Sequence, residues 1–344
     1  MMRKVVVAPG GVEVREVAEP EPGPGEVLIR TSVSGVCGSD IHALQGRHPN
    51  VTPPYAPGHE VVGVVLAVSP EVTSVLPGAR VTVEPDLPCW SCKQCRAGRE
   101  NLCEHLGFFG CGSEQGGMAD LFTIDARRLH ELPEDLDDRA AALIEPLSTP
   151  VHATRLAGPL GDKAVAILGA GTIGLLTLRV ARARGAKRIV MTARSAAHRD
   201  RALRFGADAV VDAQLPEAPD LVRAKLEESA DVVFDCVAEE STLHQALAIA
   251  NKGGTVVVVG VPPGDVTVPL ALVQDSQLRI QGSATYLPED YREAMTLLRE
   301  GVVDAAEFVT AIRPLEEAAQ AFADAAGGGH LKVLLAPETQ QFAL

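Results

Sequence analysis

Cys89, Cys92, Cys95 and Cys103 form a C-x2-C-x2-C-x7-C run inside an irregular stretch, residues 86–104. Four thiolates at that spacing can converge on one ion and close a tetrahedral zinc shell. A closed shell leaves no position for a substrate, so this site holds a lobe together and does no chemistry. Without a metal staple such an excursion would order poorly. An iron–sulfur cluster is the rival for the thiols, but the bacterial ferredoxin run closes with C-x3-C-P, which is absent. Clustered free thiols fit a reducing compartment. The N-terminal apolar run stops at Ala8, too short for a signal-peptide core. No apolar run reaches membrane-spanning length. The expected location is therefore cytoplasmic. Cys111 and Cys236 read as small buried hydrophobes.

The chain has 344 residues, 46% hydrophobic and 22% charged, which suits two soluble globular domains. Its formal charge of −14 repels phosphate backbones and anionic lipid heads. Aromatics make up 3%, too few for base-stacking platforms. Nucleic-acid and membrane partners are excluded on these grounds. Any phosphate must be held by a local pocket.

Residues 1–150 look β-rich, with Val-rich runs at 5–8, 27–33, 61–68 and 80–83 between Gly/Pro turns. From about Thr154 strands alternate with helices. Strands are expected at 164–168, 188–192, 209–211, 232–235, 255–260 and 278–282, with helices at 172–184, 221–228 and 241–250. That alternation predicts a parallel, doubly wound α/β sheet. Helices near 289–299 and 315–326 and a strand at 331–335 make a tail too small to stand alone. It is expected to pack on the first domain, making that domain discontinuous.

Gly169-Ala170-Gly171-Thr172-Ile173-Gly174 follows a strand and opens a helix. Gly169 permits the tight turn, Gly171 lets the backbone approach a pyrophosphate, and Gly174 lets helix and strand pack closely. The helix start at Thr172 and Ile173 then offers N–H groups and a positive dipole end to the phosphates. An acidic residue at the end of the second strand would select NAD by binding the ribose 2′-OH. Ala193-Arg194-Ser195 stands there instead. Arg194 can clamp a 2′-phosphate, Ser195 can hydrogen-bond it, and Arg199 is close enough in sequence to assist. NADP(H) is therefore expected over NAD(H).

Cys37, His59 and a carboxylate would make a mixed S/N/O zinc shell with an open fourth position, the mark of a catalytic site. With Cys37-Gly38-Ser39-Asp40-Ile41-His42, Gly58-His59-Glu60, the cysteine run, Glu145-Pro146-Leu147 and the fingerprint at 169–174, the chain resembles the zinc-dependent medium-chain dehydrogenase/reductase family over essentially its full length. The resemblance implies a Rossmann domain at 154–286 and a discontinuous, β-rich GroES-like catalytic domain at 1–153 and 287–344, with the structural-zinc lobe at 86–104. It implies one catalytic and one structural zinc. Glu145 is the expected third ligand, and Glu60 an alternating or neighbouring one. Ser39 would take the alcohol proton, pass it through the nicotinamide ribose hydroxyl, and leave His42 to deliver it to solvent. Lys332 stands where relatives often place a basic residue near the cofactor phosphates.

The Glu145-Pro146-Leu147 signature looks like the sorbitol, threonine and 2,3-butanediol dehydrogenase branch. Two positions depart from the sorbitol enzymes: Ala43, where they usually carry Tyr, and Thr285-Tyr286, where they usually carry Arg-Tyr. Tyr286 survives as a substrate contact. The expected substrate is a secondary alcohol or its ketone: a vicinal diol, a hydroxyketone or a compact cyclic polyol. A homo-oligomer, dimer or tetramer, is expected, with the 278–282 strand pairing across a two-fold axis. The competing readings are a zinc-free quinone-reductase-like enzyme, which would lack the Cys/His/Glu set, and a sensing or structural NAD(P)-binding zinc protein, which would show decay of the open site.

Overall fold

The computed structural model describes residues 1–262 and 264–338. The expected catalytic domain's last stretch, 339–344, lies outside the described residues. Two compact units emerge: Met1–Pro146 with Leu287–Leu344, and Leu147–Tyr286. The chain passes from one to the other inside the helix Ile144–Ala157, a few residues ahead of the boundary expected at Thr154.

The first unit is built on a seven-stranded sheet. Its order is Val309–Pro314, Lys332–Ala336, Glu26–Gly35, Glu60–Val68, Arg80–Val83 and Leu129–Glu131, with Leu121–Asp125 also on Glu26–Gly35. The long strand Glu26–Gly35 shows why these residues make a sheet: Val27 and Ile29 go into the core while Arg30 faces water. Lys332–Ala336 is buried throughout and adds antiparallel to that strand, Leu334 opposite Gly35 and Leu335 opposite Ser34. An apolar C-terminal strand thus finds its partner at the far end of the chain. Two apolar clusters flank the sheet. One gathers Val27, Ile29, Val61, Val65, Phe109 and Phe122. The other gathers Val36, Ile41, Tyr55, Met118, Phe322 and Leu335. Fully burying each such side chain is worth about 1.5–3 kcal/mol.

The second unit is a six-stranded, all-parallel sheet in the order Ala209–Asp212, Arg188–Ala193, Ala164–Leu168, Ala230–Asp235, Ala250–Val258 and Arg279–Gly282. Its order reverses beside the first strand, the doubly wound arrangement. Every residue of Ala164–Leu168 is buried, as a central parallel strand demands. Val222, Leu226, Leu243 and Leu247 pack on it from the helices. The helix expected at 221–228 runs Ala218–Leu226, because Pro219 sits in its first turn and Glu227 turns left-handed at φ 67°. The helix expected at 315–326 starts as a 3-10 turn, Leu315–Glu317, before Ala318–Ala326.

Candidate active site and metal centres

In the cysteine lobe the four sulfurs of Cys89, Cys92, Cys95 and Cys103 all lie within 4.8 Å of one another. Cys92 Sγ is 3.5 Å from Cys95 Sγ and 4.0 Å from Cys103 Sγ. Backbone N–H groups aim at the sulfurs: Cys89 N at Cys103 Sγ (3.2 Å), Cys92 N at Cys89 Sγ (3.4 Å), Cys95 N at Cys92 Sγ (3.5 Å) and His105 N at Cys103 Sγ (3.3 Å). Such donors favour thiolate over thiol. The Ser91 hydroxyl, with the Ser91 and Cys92 amides, pulls the Cys89 thiol down to about 5. Four convergent sulfurs with amide support fit a closed zinc shell.

Trp90, inside this run, holds φ 59° and lies under two cations, with the Arg127 guanidinium 4.4 Å and that of Arg128 5.6 Å from its ring centroid. Arg128 is buried, pairs with Glu84 of the sheet region, and donates to Glu100 of the lobe at 2.9 Å. His130 meets the same Glu84 at 2.9 Å and stacks on Tyr291. This ionic and aromatic clasp docks the lobe on the body of its unit.

The second centre begins where strand Glu26–Gly35 ends. Cys37 caps the helix Gly38–Leu44, and the Asp40 carboxylate accepts the Cys37 N–H at 3.1 Å and the Tyr55 hydroxyl at 3.1 Å. Burial pushes the Asp40 carboxyl up, with His59 pulling against it. Gly58 precedes His59 at φ 113°, and a Cβ there would lie 2.3 Å from Met118 N. Only glycine allows the chain to turn so close to its neighbour. His59 Nδ1 donates to the Gly110 carbonyl at 3.3 Å, since a carbonyl can only accept. Nε2 is left to face the Ser39 hydroxyl at 3.4 Å, the orientation a metal-ligating imidazole takes. Burial disfavours a charged His59, yet the Cys37 sulfur, Asp40 and Glu145 together hold its pKa well above the ordinary value. The surrounding negative groups thus call for a cation.

Donor atoms of Cys37, His59 and Glu60 lie within 4.8 Å of one another. This mixed sulfur, nitrogen and oxygen set fits zinc. Glu145 is buried in the first turn of Ile144–Ala157, outside that trio, but its charge reaches His59 and Lys332. Lys332 corrects an expectation. Its ammonium is buried on Glu60, 2.5 and 2.6 Å from the two carboxylate oxygens, and donates to Val36 O at 3.1 Å. Its charge is thus spent on a buried carboxylate of its own unit and not held free for a phosphate. Burial would lower its pKa, but Glu60 and Cys37 raise it, so it is charged.

Cys111 also departs from its expected role. It packs beside Val36, Ile41 and Tyr55, as an inert thiol would, but its sulfur also lies within 4.8 Å of donor atoms of His59 and Asp40. Burial pushes this thiol up to about 12. Cys236, expected as a small buried hydrophobe, is half-buried, with its sulfur 3.8 Å from the Thr177 hydroxyl. His42 is exposed on the Gly38–Leu44 helix; burial of part of its ring and then Arg47 lower its pKa. His48, given no role from sequence, feels the charges of His42 and His59.

In the second unit Gly169 takes φ 98°, and a Cβ on Gly174 would fall 2.0 Å from Gly169 O. The glycines at the turn and at the helix–strand contact are therefore required, while Gly171 has open space in front of it. Gly171 caps the helix Thr172–Ala183 without a side-chain bond of its own. Arg194 is exposed, and Ser195 caps the helix Ala196–Arg204 by accepting from His198 N. Arg199 does not stand open beside them. It donates to Ala193 O (3.0 Å) and Arg194 O (2.8 Å) and pairs with Asp212 at 3.0 Å, so it braces the loop. His198, unassigned from sequence, sits 2.5 Å from the Ser195 hydroxyl through Nδ1. Tyr286 is 2% exposed.

Comparisons with known proteins agree with this geometry. Residues 23–134 match the alcohol dehydrogenase GroES-like domain, and residues 172–300 match the zinc-binding dehydrogenase family. Sorbitol dehydrogenase of Ovis aries is 34% identical over 338 residues, covering 96% of this chain and 95% of that protein. A solved zinc-binding dehydrogenase from Sinorhizobium meliloti 1021, bound to NADP, superposes with TM-score 0.89 at 36% identity, covering 98% of this chain and 99% of its own. The 2R,3R-butanediol dehydrogenase of Bacillus subtilis gives TM-score 0.89 at 26% identity, with 98% and 100% covered. Among the described residues no helix is long and apolar enough to cross a membrane. With a glycine-rich dinucleotide loop in one unit and convergent Cys/His/Glu donors in the other, the chain belongs to the zinc-binding medium-chain dehydrogenases, in their polyol dehydrogenase branch.

Proposed function

We propose that this chain is a zinc-dependent oxidoreductase that moves a hydride between NADP(H) and a secondary alcohol or its ketone. The substrate is a vicinal diol, a hydroxyketone or a small cyclic polyol. The observation that carries the reading is the convergence of Cys37, His59 and Glu60 donor atoms within 4.8 Å, in a chain that also carries the fingerprint at 169–174. Cys37 and His59 anchor the catalytic zinc, and a carboxylate, Glu60 or Glu145, completes its hold in the working enzyme. Zinc so held supplies Lewis acidity toward the substrate oxygen. Ser39, 3.4 Å from His59 Nε2, is the hydroxyl that takes the substrate proton, and His42 delivers it to water. The cysteine quartet holds a second, structural zinc.

On the nucleotide side, Thr172 and Ile173 open the helix that receives the pyrophosphate. The absence of an acid at Ala193, with Arg194 exposed beside Ser195, supports NADP(H). NADP bound in the Sinorhizobium relative accords with this. Steady-state kinetics over a panel of diols, hydroxyketones and cyclitols test the reading, with NADPH and NADH compared. A higher kcat/KM with NADPH is expected, and Arg194→Ala should lower the NADPH-to-NADH ratio by about tenfold or more, the scale of a charged hydrogen bond. Equal efficiency with the two nucleotides would overturn the NADP assignment. No turnover of any alcohol or ketone in the panel would overturn the activity.

Tyr286 is retained as a proposed substrate contact. The strand Arg279–Gly282 is mostly exposed, with Ile280 at 38%, and the neighbouring helix Leu270–Asp275 exposes Leu270 at 71%. An open strand edge beside apolar side chains supports a homo-oligomer formed through this edge, and light scattering in solution checks it. The cytoplasm is the proposed compartment, in keeping with seven free cysteines.

A further inference from the structure

Ser195 Oγ accepts the His198 N–H at 3.3 Å, and the His198 ring comes back over the same oxygen, with Nδ1 at 2.5 Å. A serine hydroxyl owns one proton and two lone pairs. With Nδ1 bare, that proton points at the ring and only a lone pair faces outward, which repels an anion. With Nδ1 protonated, the ring donates to Ser195 Oγ and the hydroxyl proton is free to turn outward. His198 therefore decides whether Ser195 meets an anion as donor or as acceptor. The ring is half-buried, and burial, then Arg201 and Arg194, lower its pKa. The same helix adds Arg199, Asp200 and Arg204, and the strands packed on it are Arg188–Ala193 and Ala209–Asp212. Asp212 pairs with Arg199 at 3.0 Å, and Arg188 with Glu227 at 2.8 Å. The two cations that act on the ring disfavour its imidazolium form, and a bound dianion would favour it.

We propose that His198 is a positioning residue for NADP(H): with Nδ1 protonated it turns the Ser195 hydroxyl proton toward the ribose 2′-phosphate, so that binding the phosphate takes up a proton from solvent at His198. This rests on the reading of Arg194 and Ser195 as the 2′-phosphate site and adds the group that switches it. Binding raises the ring's pKa, so the gain in affinity is complete below the free ring's lowered value, under 6.5, and is lost as pH rises through the higher value of the bound state. NAD(H), with a hydroxyl in place of that phosphate, draws on none of it. Selection for NADP(H) is then sharper at neutral than at alkaline pH.

The test titrates adenosine 2′,5′-bisphosphate, which carries the 2′-phosphate, and AMP, which lacks it, into wild type, His198→Gln and Ser195→Ala by calorimetry. From about pH 6.5 to about pH 8.5 the wild-type Kd for the bisphosphate should weaken about fivefold more than that of either variant, since each pKa unit gained on binding is worth about tenfold in affinity. The probe's own phosphate ionisation, at about pH 6, is common to all three proteins and cancels. Equal pH slopes in wild type and His198→Gln, with the bisphosphate still bound more tightly than AMP, would overturn the proposal and leave the NADP reading standing. A slope kept in Ser195→Ala would also overturn it, because His198 would then act without the hydroxyl. A bisphosphate bound no more tightly than AMP by wild type would overturn the NADP reading and the proposal with it. Wild-type protein provides a second measurement that no folding defect can blur. At about pH 7.5 the probe's 2′-phosphate is already dianionic, so any proton taken up belongs to the protein. Titrations in two buffers of different ionisation enthalpy should show more proton uptake with the bisphosphate than with AMP. Equal uptake would reject His198 as the proton acceptor.

Discussion

In the lobe, four sulfurs come from one short stretch and backbone N–H groups already point at them. At Cys37 and His59, the donors come from separate segments and each carboxylate already has a partner. With zinc in place, as proposed, the first centre would be saturated by its own ligands and closed to anything else. The second is contested: Lys332 competes for Glu60, Tyr55 for Asp40, and two sulfurs flank one imidazole. On the function proposed above, the contrast separates a staple from a reaction centre. A site made to stay shut is assembled locally from like donors. A site made to exchange partners is assembled from unlike donors that have somewhere else to go.

The comparison breaks first at Cys37. Cys37→Ser should cut kcat/KM by about a thousandfold, the scale of several kcal/mol of Lewis-acid assistance, while thermal unfolding barely moves. A large fall in Tm together with retained turnover would mean that the two centres have been assigned the wrong way round. Cys103→Ser should do the reverse. Losing a structural metal belongs with the largest single-site effects, about 4 kcal/mol or more in a denaturant titration, with bound zinc reduced by one equivalent. If stability were unchanged, the lobe would not be the staple described.

Lys332→Met sharpens the contest within the open centre. It leaves Glu60 buried without its cation, a loss of about 3–5 kcal/mol by urea denaturation. Lys332→Met with Glu60→Gln in the same chain should recover much of that loss, because no buried charge is then left unpaired. Failure of the double change to recover stability would mean that the pair matters for packing alone.

The smallest effect concerns protons. Burial, and then Arg47, lower the His42 pKa below 6.5, so at neutral pH the ring is uncharged and can accept a proton. As pH falls through that lowered value the ring charges, and alcohol oxidation should decline. His42→Ala should reduce kcat by about tenfold, less than full general-base loss because water can stand in, and should abolish that acid limb. A pH–rate profile that keeps the limb would place the titrating group elsewhere.

Much of this was legible in the chain itself, for physical reasons. The fingerprint at 169–174 is local, and its glycines answer to one strand–turn–helix geometry. The cysteine run is local too. Lys332–Ala336 could be matched to the first domain because an apolar strand with no neighbours must find a sheet. Other features were hidden because tertiary contacts decide them. Lys332 meets Glu60 across 272 positions of sequence, and only the pairing of the last strand with Glu26–Gly35 brings them together. Nothing in the stretch around Cys111 marks it, because only the fold brings its sulfur within 4.8 Å of donor atoms of His59 and Asp40. Arg199 looked available until Asp212, on the adjacent parallel strand, claimed it.

Trp90 is the single indole of the chain, and it sits between two of the lobe's cysteines under the cation of Arg127. All tryptophan emission therefore originates in the lobe and none in the reaction centre. The colour and brightness of that emission would follow the lobe alone while a chelator is added, so the order in which the two ions depart could be timed against the decay of turnover in one cuvette, without attaching a dye.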